Sequence, residues 1–98
     1  MNYTIKDLRT SIDNIDEAVL LLLSERFRVT QKVGELKRQN DNQAVDPVRE
    51  REMFTKLIKS ASDKGLDPEL VEKIWRLIVC KVVENHKSLR QKEINDVN

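Results

Sequence analysis

The first forty residues carry apolar side chains at alternating spacings of three and four, which is the repeat of a heptad seam. No proline interrupts this repeat, and the first polar break is the stretch 38–43. The pattern predicts one helix from about Thr4 to about Gln39. Its apolar seam consists of Ile5, Leu8, Ile12, Ile15, Val19, Leu22, Val29, Val33 and Leu36.

Two further helices are predicted from matching start sequences, Asp46-Pro47 and Asp67-Pro68. Each pairs an aspartate, a favourable N-cap, with a proline at the first helical position. Apolar residues at helical spacing follow both starts. The second helix is predicted to end near Ser62, before a glycine that fits a C-terminal cap. The third is predicted to end near Gln91, which leaves a polar, frayed tail over residues 92–98.

The first predicted helix is too long for the rest of the chain to cover. At 1.5 Å per residue it would measure about 50 Å. A compact domain of this size has a radius of gyration of only about 13 Å. We therefore expect a single all-α domain over residues 1–98, with three helices per protomer, that forms an intertwined homodimer through the seam.

Composition agrees with long helices, and the net charge argues against some classes of binding partner. The chain is 36% charged and 39% hydrophobic, with two glycines and two prolines. A net charge of +1 gives no global field that would attract nucleic acid or an anionic membrane. The longest apolar run, 18–23, is too short to span a bilayer, and the N-terminus lacks a secretory pattern. A cytoplasmic protein is expected.

Several kinds of catalytic chemistry have no counterpart in the sequence. The lone Cys80 excludes an internal disulfide and a multi-thiolate metal site, and its apolar surroundings predict a core thiol. There is no glycine-rich phosphate loop, no metal-ligand spacing and no recognisable nucleophile arrangement. An enzyme with this sequence is expected to use no nucleophile, metal or cofactor.

Arg26 breaks the seam, in a slot where an apolar side chain belongs. Because a buried, unpaired guanidinium is costly, it must pair with a protein carboxylate, reach solvent or bind an anionic ligand. Lys37 lies three turns later on nearly the same face, with Val33 one turn before it. Two cations beside an apolar floor suit a small anion, although the helix dipole also favours a solvated lysine at a helix end.

Other polar residues can also be interpreted either as structural residues or as residues that bind a ligand. The charged start of the second helix, with Asp46, Arg49 and Glu50, fits a solvated first turn or an anion site. His86 extends the apolar line of the third helix, as a core histidine or as an N–H donor in a pocket. Arg9, taken alone, is an ordinary surface arginine. Together these cations and donors suit a ligand that develops negative charge.

In order along the chain, these residues resemble the signature of the helical chorismate mutases. The resemblance covers about residues 5–90 and consists of short motifs in a fixed order. The third helix contributes Ile74-Trp75, Leu77-Ile78 and Val82-Val83. The remaining matches are Leu8-Arg9, Ile12-Asp13, Ile15-Asp16, Leu22-Leu23, Glu25-Arg26, Val33-Gly34, Lys37, Asp46, Arg49 to Glu52 and Gly65 to Asp67.

The resemblance implies a three-helix protomer, an interlocked dimer with two equivalent pockets, and the Claisen rearrangement of chorismate to prephenate. That reaction serves phenylalanine and tyrosine biosynthesis and needs no covalent intermediate. Carried over by position, Arg26 would bind one substrate carboxylate, and Arg9 would reach in from the other protomer. Lys37 would donate to the breaking ether oxygen.

The resemblance also implies supporting contacts. Arg49 would help to bind a carboxylate, and Val33 would shape the apolar wall. Asp46, through its backbone, and Glu50 would contact the ring hydroxyl.

Two positions depart from the usual pattern. The family often has glutamine where His86 stands and serine where Val82 stands. A histidine can still donate to the ether oxygen, whereas a valine cannot hydrogen-bond.

Alternatives remain open at this point. An isochorismate–pyruvate lyase resembles the same scaffold, although the spacer from Lys37 to Asp46 and the Arg-Glu-Arg-Glu start favour the mutase. A mutase acting on 4-amino-4-deoxychorismate is a further variant. The chain could also be a regulatory module that acts with the first enzyme of the shikimate pathway, or a helical adaptor without a ligand.

Overall fold

The computed structural model describes residues 2–40 and 43–97. It contains three helices, α1 (Ile5–Gln39), α2 (Pro47–Asp63) and α3 (Pro68–Val97), and these described ranges contain no strand. The predicted all-α, three-helix fold is confirmed. The chain divides into two compact units, Met1–Thr30 and Gln31–Asn98.

A reciprocal capping box fixes the start of α1. The backbone N–H of Thr4 donates to Asp7 Oδ2 over 3.2 Å, and the N–H of Asp7 donates to Thr4 Oγ1 over 3.1 Å. Two N–H groups that the helix leaves without intrahelical partners are thereby satisfied. The predicted bounds of the first helix, about Thr4 to about Gln39, agree with the structure.

Both predicted aspartate caps are present at the starts of α2 and α3. Asp46 Oδ1 accepts from the Arg49 N–H over 3.1 Å, and Asp67 Oδ1 accepts from the Glu69 N–H over 3.0 Å. Between the two helices, Gly65 adopts a φ of 72°, a left-handed conformation that favours glycine. α2 ends at Asp63, one residue beyond the predicted end.

The predicted end of the third helix near Gln91 is wrong, because α3 continues to Val97. The segment 92–97 contains neither glycine nor proline, so nothing in its sequence interrupts the backbone hydrogen bonds. The polarity of this segment marks where the apolar face of α3 ends. The helix itself continues beyond that point. Fraying of residues 92–98 stays a prediction.

Within the unit Gln31–Asn98, α2 packs on α3. Among the residues whose burial the structure describes, the buried apolar ones are Phe54 and Ala61 of α2 and Val71 and Ile78 of α3. The Arg76 guanidinium lies 4.4 Å from the centroid of the Phe54 ring, a cation–π contact at the edge of this core. This packing holds α2 against the face of α3 that carries Val71 and Ile78. The same face continues along the helix to His86.

The apolar seam of α1 is exposed. Ile12, Ile15 and Leu22 have exposed fractions of 54%, 60% and 67%, and Gly34 is the buried residue of this helix. Burial of one large aliphatic side chain stabilises a fold by about 1.5–3 kcal/mol. Each exposed side chain of the seam leaves that stabilisation unrealised, and together these side chains form a substantial apolar surface. The chain leaves this surface uncovered within its described residues.

The prediction of a core thiol is wrong, because the Cys80 thiol is exposed. Ile78 is buried, and a residue two positions later on a helix points to roughly the opposite side. A four-residue apolar run wraps around more than one face, so its members cannot all share the core.

No helix in the described ranges is long and apolar enough to cross a membrane.

Candidate functional site

The first turn of α2 places Asp46, Arg49 and Glu50 close together. Asp46 and Arg49 are exposed and are joined by the capping hydrogen bond, while Glu50 is half-buried. Glu50 lies at an open groove of about 280 Å³ between the start of α2 and the middle of α3. The groove is also lined by Val45, Arg76, Val79, Cys80 and Val83.

His86 is the buried polar side chain of the described residues, with an exposed fraction of 5%. Its ring lies against Gly34 of α1, so closely that a Cβ atom built on Gly34 would be 2.5 Å from Cδ2 and 2.8 Å from Nε2. The same Cβ atom would be 3.0 Å from Leu89 Cδ1. The imidazole is therefore held between the backbone of α1 and its own helix.

Two predicted site residues flank this contact on α1, and one precedes it on α3. Val33 adjoins Gly34, and the half-buried Lys37 follows one turn later, on the same side of the helix. Val82 is half-buried, one turn before His86. The contact between Gly34 and His86 therefore brings the turn that carries Val33 and Lys37 to the turn that carries Val82 and His86.

The two remaining predicted residues, Arg9 and Arg26, belong to the other unit, Met1–Thr30. Arg9 is exposed. Arg26 is half-buried, and its Nη1 atom is shielded from solvent. Burial of part of a guanidinium is costly unless it has a partner or a ligand, which is the choice that the position of Arg26 in the seam already posed.

The sequence prediction missed Gly34 as a site residue. A glycine within a helix costs stability relative to alanine, so its presence in the long helix indicated a close approach by another group. Nothing in the sequence pattern indicated that Arg76 lines the groove of Glu50. That arginine had no pattern violation to identify it, because a polar residue on the outer face of a helix is ordinary.

Within the unit Gln31–Asn98, the predicted site residues include groups that suit an anionic ligand. Lys37 supplies an amine, Arg49 a guanidinium group and His86 an imidazole N–H, all of which can donate hydrogen bonds, and Val33 and Val82 are apolar. In the ranges that the structure describes, no three His, Cys, Asp or Glu side chains cluster closely enough to hold a metal ion.

Comparison with known proteins places the chain in a family. The family model for chorismate mutase type II matches residues 8–87. The bifunctional chorismate mutase/prephenate dehydratase of Aquifex aeolicus is 34% identical over 89 residues, 88% of this chain and 25% of that protein. The T-protein of Enterobacter agglomerans is 35% identical over 85 residues, 85% of this chain and 23% of that protein.

A shorter relative matches over nearly its full length. The chorismate mutase of Methanocaldococcus jannaschii is 26% identical over 92 residues, which are 94% of this chain and 89% of that protein. The chain spans about a quarter of the length of the bifunctional relatives it matches. With a family match that covers most of its residues, the chain belongs to the chorismate mutase type II family.

Proposed function

We propose that the chain converts chorismate to prephenate. The observation that carries this proposal is that the family match, residues 8–87, contains every cation and donor assigned to the site, from Arg9 to His86. Further support comes from the Methanocaldococcus relative, which is named simply chorismate mutase and is covered over 89% of its length. A domain of this size carries that name without a second enzyme fused to it.

The reaction suits a site of cations and donors. In the Claisen rearrangement, one carbon–oxygen bond of the ether breaks while a carbon–carbon bond forms within the same molecule. No proton is transferred, and no nucleophile or cofactor takes part. Negative charge builds on the ether oxygen in the transition state. The protein has to hold the substrate in a compact shape and stabilise that charge with preorganised donors.

Lys37 and His86 are proposed to donate to the ether oxygen. The burial of His86 supports this role, because a hydrogen bond in a low-dielectric site is stronger than one in water. The half-buried Lys37 lies on the side of α1 that faces the imidazole through Gly34. An imidazole N–H can take the place of the amide donor that the family often uses at this position.

The cations outside this pair are proposed to bind the substrate carboxylates. Arg26 would bind one of them, Arg9 would reach in from the partner protomer, and Arg49 would support carboxylate binding from the start of α2. Guanidinium groups suit this task because they match a carboxylate with two parallel hydrogen bonds.

The rest of the substrate is proposed to meet apolar and hydroxyl-binding positions. Val33 would form the apolar wall, and the Asp46 backbone and the Glu50 carboxylate would contact the ring hydroxyl. The half-burial of Glu50 in its groove supports such a role. Val82 offers no hydrogen bond, so a water molecule would take the contact that a serine provides elsewhere in the family.

We propose that two copies form the functional unit and that residues 1–98 make up its single domain. The exposed seam of α1 supports the dimer, because it presents large apolar side chains over the length of a helix. Pairing two seams would bury these side chains. It would also bring Arg9 of one copy to the site of the other.

The proposed product suggests a place in the biosynthesis of phenylalanine and tyrosine, in the cytoplasm. Several relatives are named bifunctional chorismate mutase/prephenate dehydratase, so in those proteins the two functions share one chain. We propose that this chain, too, works beside another enzyme of aromatic amino acid synthesis. Assays with and without such an enzyme would measure any change in its activity.

The deciding experiment offers the purified protein chorismate and isochorismate in separate assays, with gel filtration of the same sample. We expect loss of chorismate absorbance with formation of prephenate, and no salicylate or pyruvate from isochorismate. Absence of turnover by a folded, dimeric sample would reject the mutase. Salicylate and pyruvate from isochorismate would identify a lyase on the same scaffold.

A further inference from the structure

We infer that Gly34 is a positioning residue for His86, and that the missing side chain at position 34 sets where the imidazole lies against the turn of α1 that leads to Lys37. The catalytic meaning of this inference rests on the proposed function. The geometric part concerns the ligand-free protein and can be tested without any substrate.

The space at Gly34 is filled by the imidazole. A Cβ atom there would approach two ring atoms, Cδ2 and Nε2, to 2.5 and 2.8 Å, distances that real Cβ atoms essentially never show. Leu89 Cδ1 would be 3.0 Å from the same Cβ atom, so the added methyl group would also be crowded by a second neighbour. Because His86 is buried, the ring cannot move aside into solvent without disturbing this packing. Even one methyl group at position 34 would therefore displace the ring.

The backbone of α1 gives no separate reason for this glycine. Glycine inside a helix is less stable than alanine, because it loses more conformational freedom on folding. The other glycine, Gly65, is different: it has a φ of +72°, and a Cβ atom added to it would meet nothing within 4 Å. One glycine is thus required by its backbone conformation and the other by its neighbour.

The location of the contact connects it with the proposed chemistry. Gly34 lies three residues before Lys37, on the same side of α1, so the surface that supports the imidazole continues to the turn that carries Lys37. Two donors that share one oxygen atom must be placed together. A misplacement of about 1 Å in such an arrangement can cost about 100-fold in rate. Gly34 would thereby affect catalysis without touching the substrate.

The first test is spectroscopic and uses Gly34→Ala with Gly65→Ala as the matched control. His86 is the single histidine, so the carbon- and nitrogen-detected imidazole signals in an NMR spectrum belong to it alone. We expect Gly34→Ala to shift the Cδ2–H and ring nitrogen signals of the ligand-free protein. Gly65→Ala should leave them in place. Unchanged ring signals in a folded Gly34→Ala protein would overturn the inference.

The second test is a double-mutant cycle on turnover, with Gly34→Ala introduced into the wild type and into His86→Ala. We expect Gly34→Ala alone to lower kcat by about 10-fold or more, with a smaller change in KM. In the His86→Ala background it should lower kcat by less than about 2-fold, because no ring remains to be displaced. Equal losses in both backgrounds would overturn the positioning role.

The two tests separate this inference from the proposed function. If chorismate is not converted but the imidazole signals still shift in Gly34→Ala, the positioning of His86 stands and the mutase proposal fails. If Gly34→Ala does not fold, we expect the double variant Gly34→Ala/His86→Ala to fold, since the obstructing ring is gone. Failure of that double variant, with His86→Ala alone folded, would overturn the inference.

Discussion

The imidazole of His86 is buried where the surrounding pattern of α3 calls for an apolar residue. A buried polar group is retained when it is satisfied or when it acts on a ligand. The contact with Gly34 explains how the ring is accommodated. The proposed function explains why a polar ring is present at all, since it would donate to an oxygen that becomes negative.

Replacing His86 tests this donor role. We expect His86→Ala to lower kcat by about 100-fold, comparable to the loss of one preorganised oxyanion donor. We expect His86→Gln to stay within about 10-fold of the wild type, because an amide N–H can still donate. Steady-state kinetics with chorismate measure both variants. A kcat of His86→Ala equal to that of the wild type would remove His86 from the mechanism.

The cations Arg26 and Lys37 lead to a second prediction. We expect Arg26→Ala and Lys37→Ala each to lower kcat/KM by at least about 100-fold, because each removes a charged donor from a partly buried site. Lys32→Ala is the matched control, an exposed lysine of the same helix outside the proposed site. It should retain the activity of the wild type. Comparable losses in all three variants would point to a general effect of charge.

The residues of the candidate site differed in how well the sequence could identify them. Arg26 and His86 were detectable because they interrupt apolar lines. Gly34 could not be assigned a neighbour, because that required knowing which turn of α3 meets which turn of α1. The exposure of Cys80 depended on the rotation of α3 about its axis, which a short apolar run does not fix.

At the scale of the helices, starts were predicted better than ends. An aspartate followed by proline acts locally, through a hydrogen bond within one turn, so Asp46 and Asp67 were sufficient to locate both starts. The end of α3 lacks such a local determinant. The helix continues into polar sequence until Val97, beyond the apolar face on which the prediction relied.

The cap of α2 provides a test at this scale. We expect Asp46→Ala to lower the free energy of unfolding by about 1 kcal/mol, because the Arg49 N–H loses its acceptor. Asp46→Asn should retain most of the stability, since an amide oxygen also accepts. Urea denaturation measures the difference, with Lys56→Ala, an exposed position in the middle of α2, as the control. An unchanged unfolding midpoint in Asp46→Ala would contradict the capping role.

For the whole molecule, the exposed seam of α1 leads to the prediction of a dimer whose stability depends on concentration. We expect the melting temperature of the wild type to rise with protein concentration, because association favours the folded state. Ile12→Lys should elute as a monomer and melt at a lower temperature, since the seam would have to bury a charge.

The control for the seam is Thr10→Lys, which adds the same charge on the opposite face of the helix. It should elute with the wild type in gel filtration. Elution of the wild type itself at a monomer volume would reject the dimer. Elution of Ile12→Lys with the wild type would show that the seam is not the interface.

The close approach of Gly34 and His86 also restricts how this protein can evolve. A methyl group at position 34 is incompatible with the present position of the imidazole, so the two sites are not free to change independently. In a library randomised at both positions and selected for folded protein, alanine at 34 should be recovered with small or flexible side chains at 86, and rarely with histidine. An evolutionary route that passes through both substitutions would therefore have to change position 86 first.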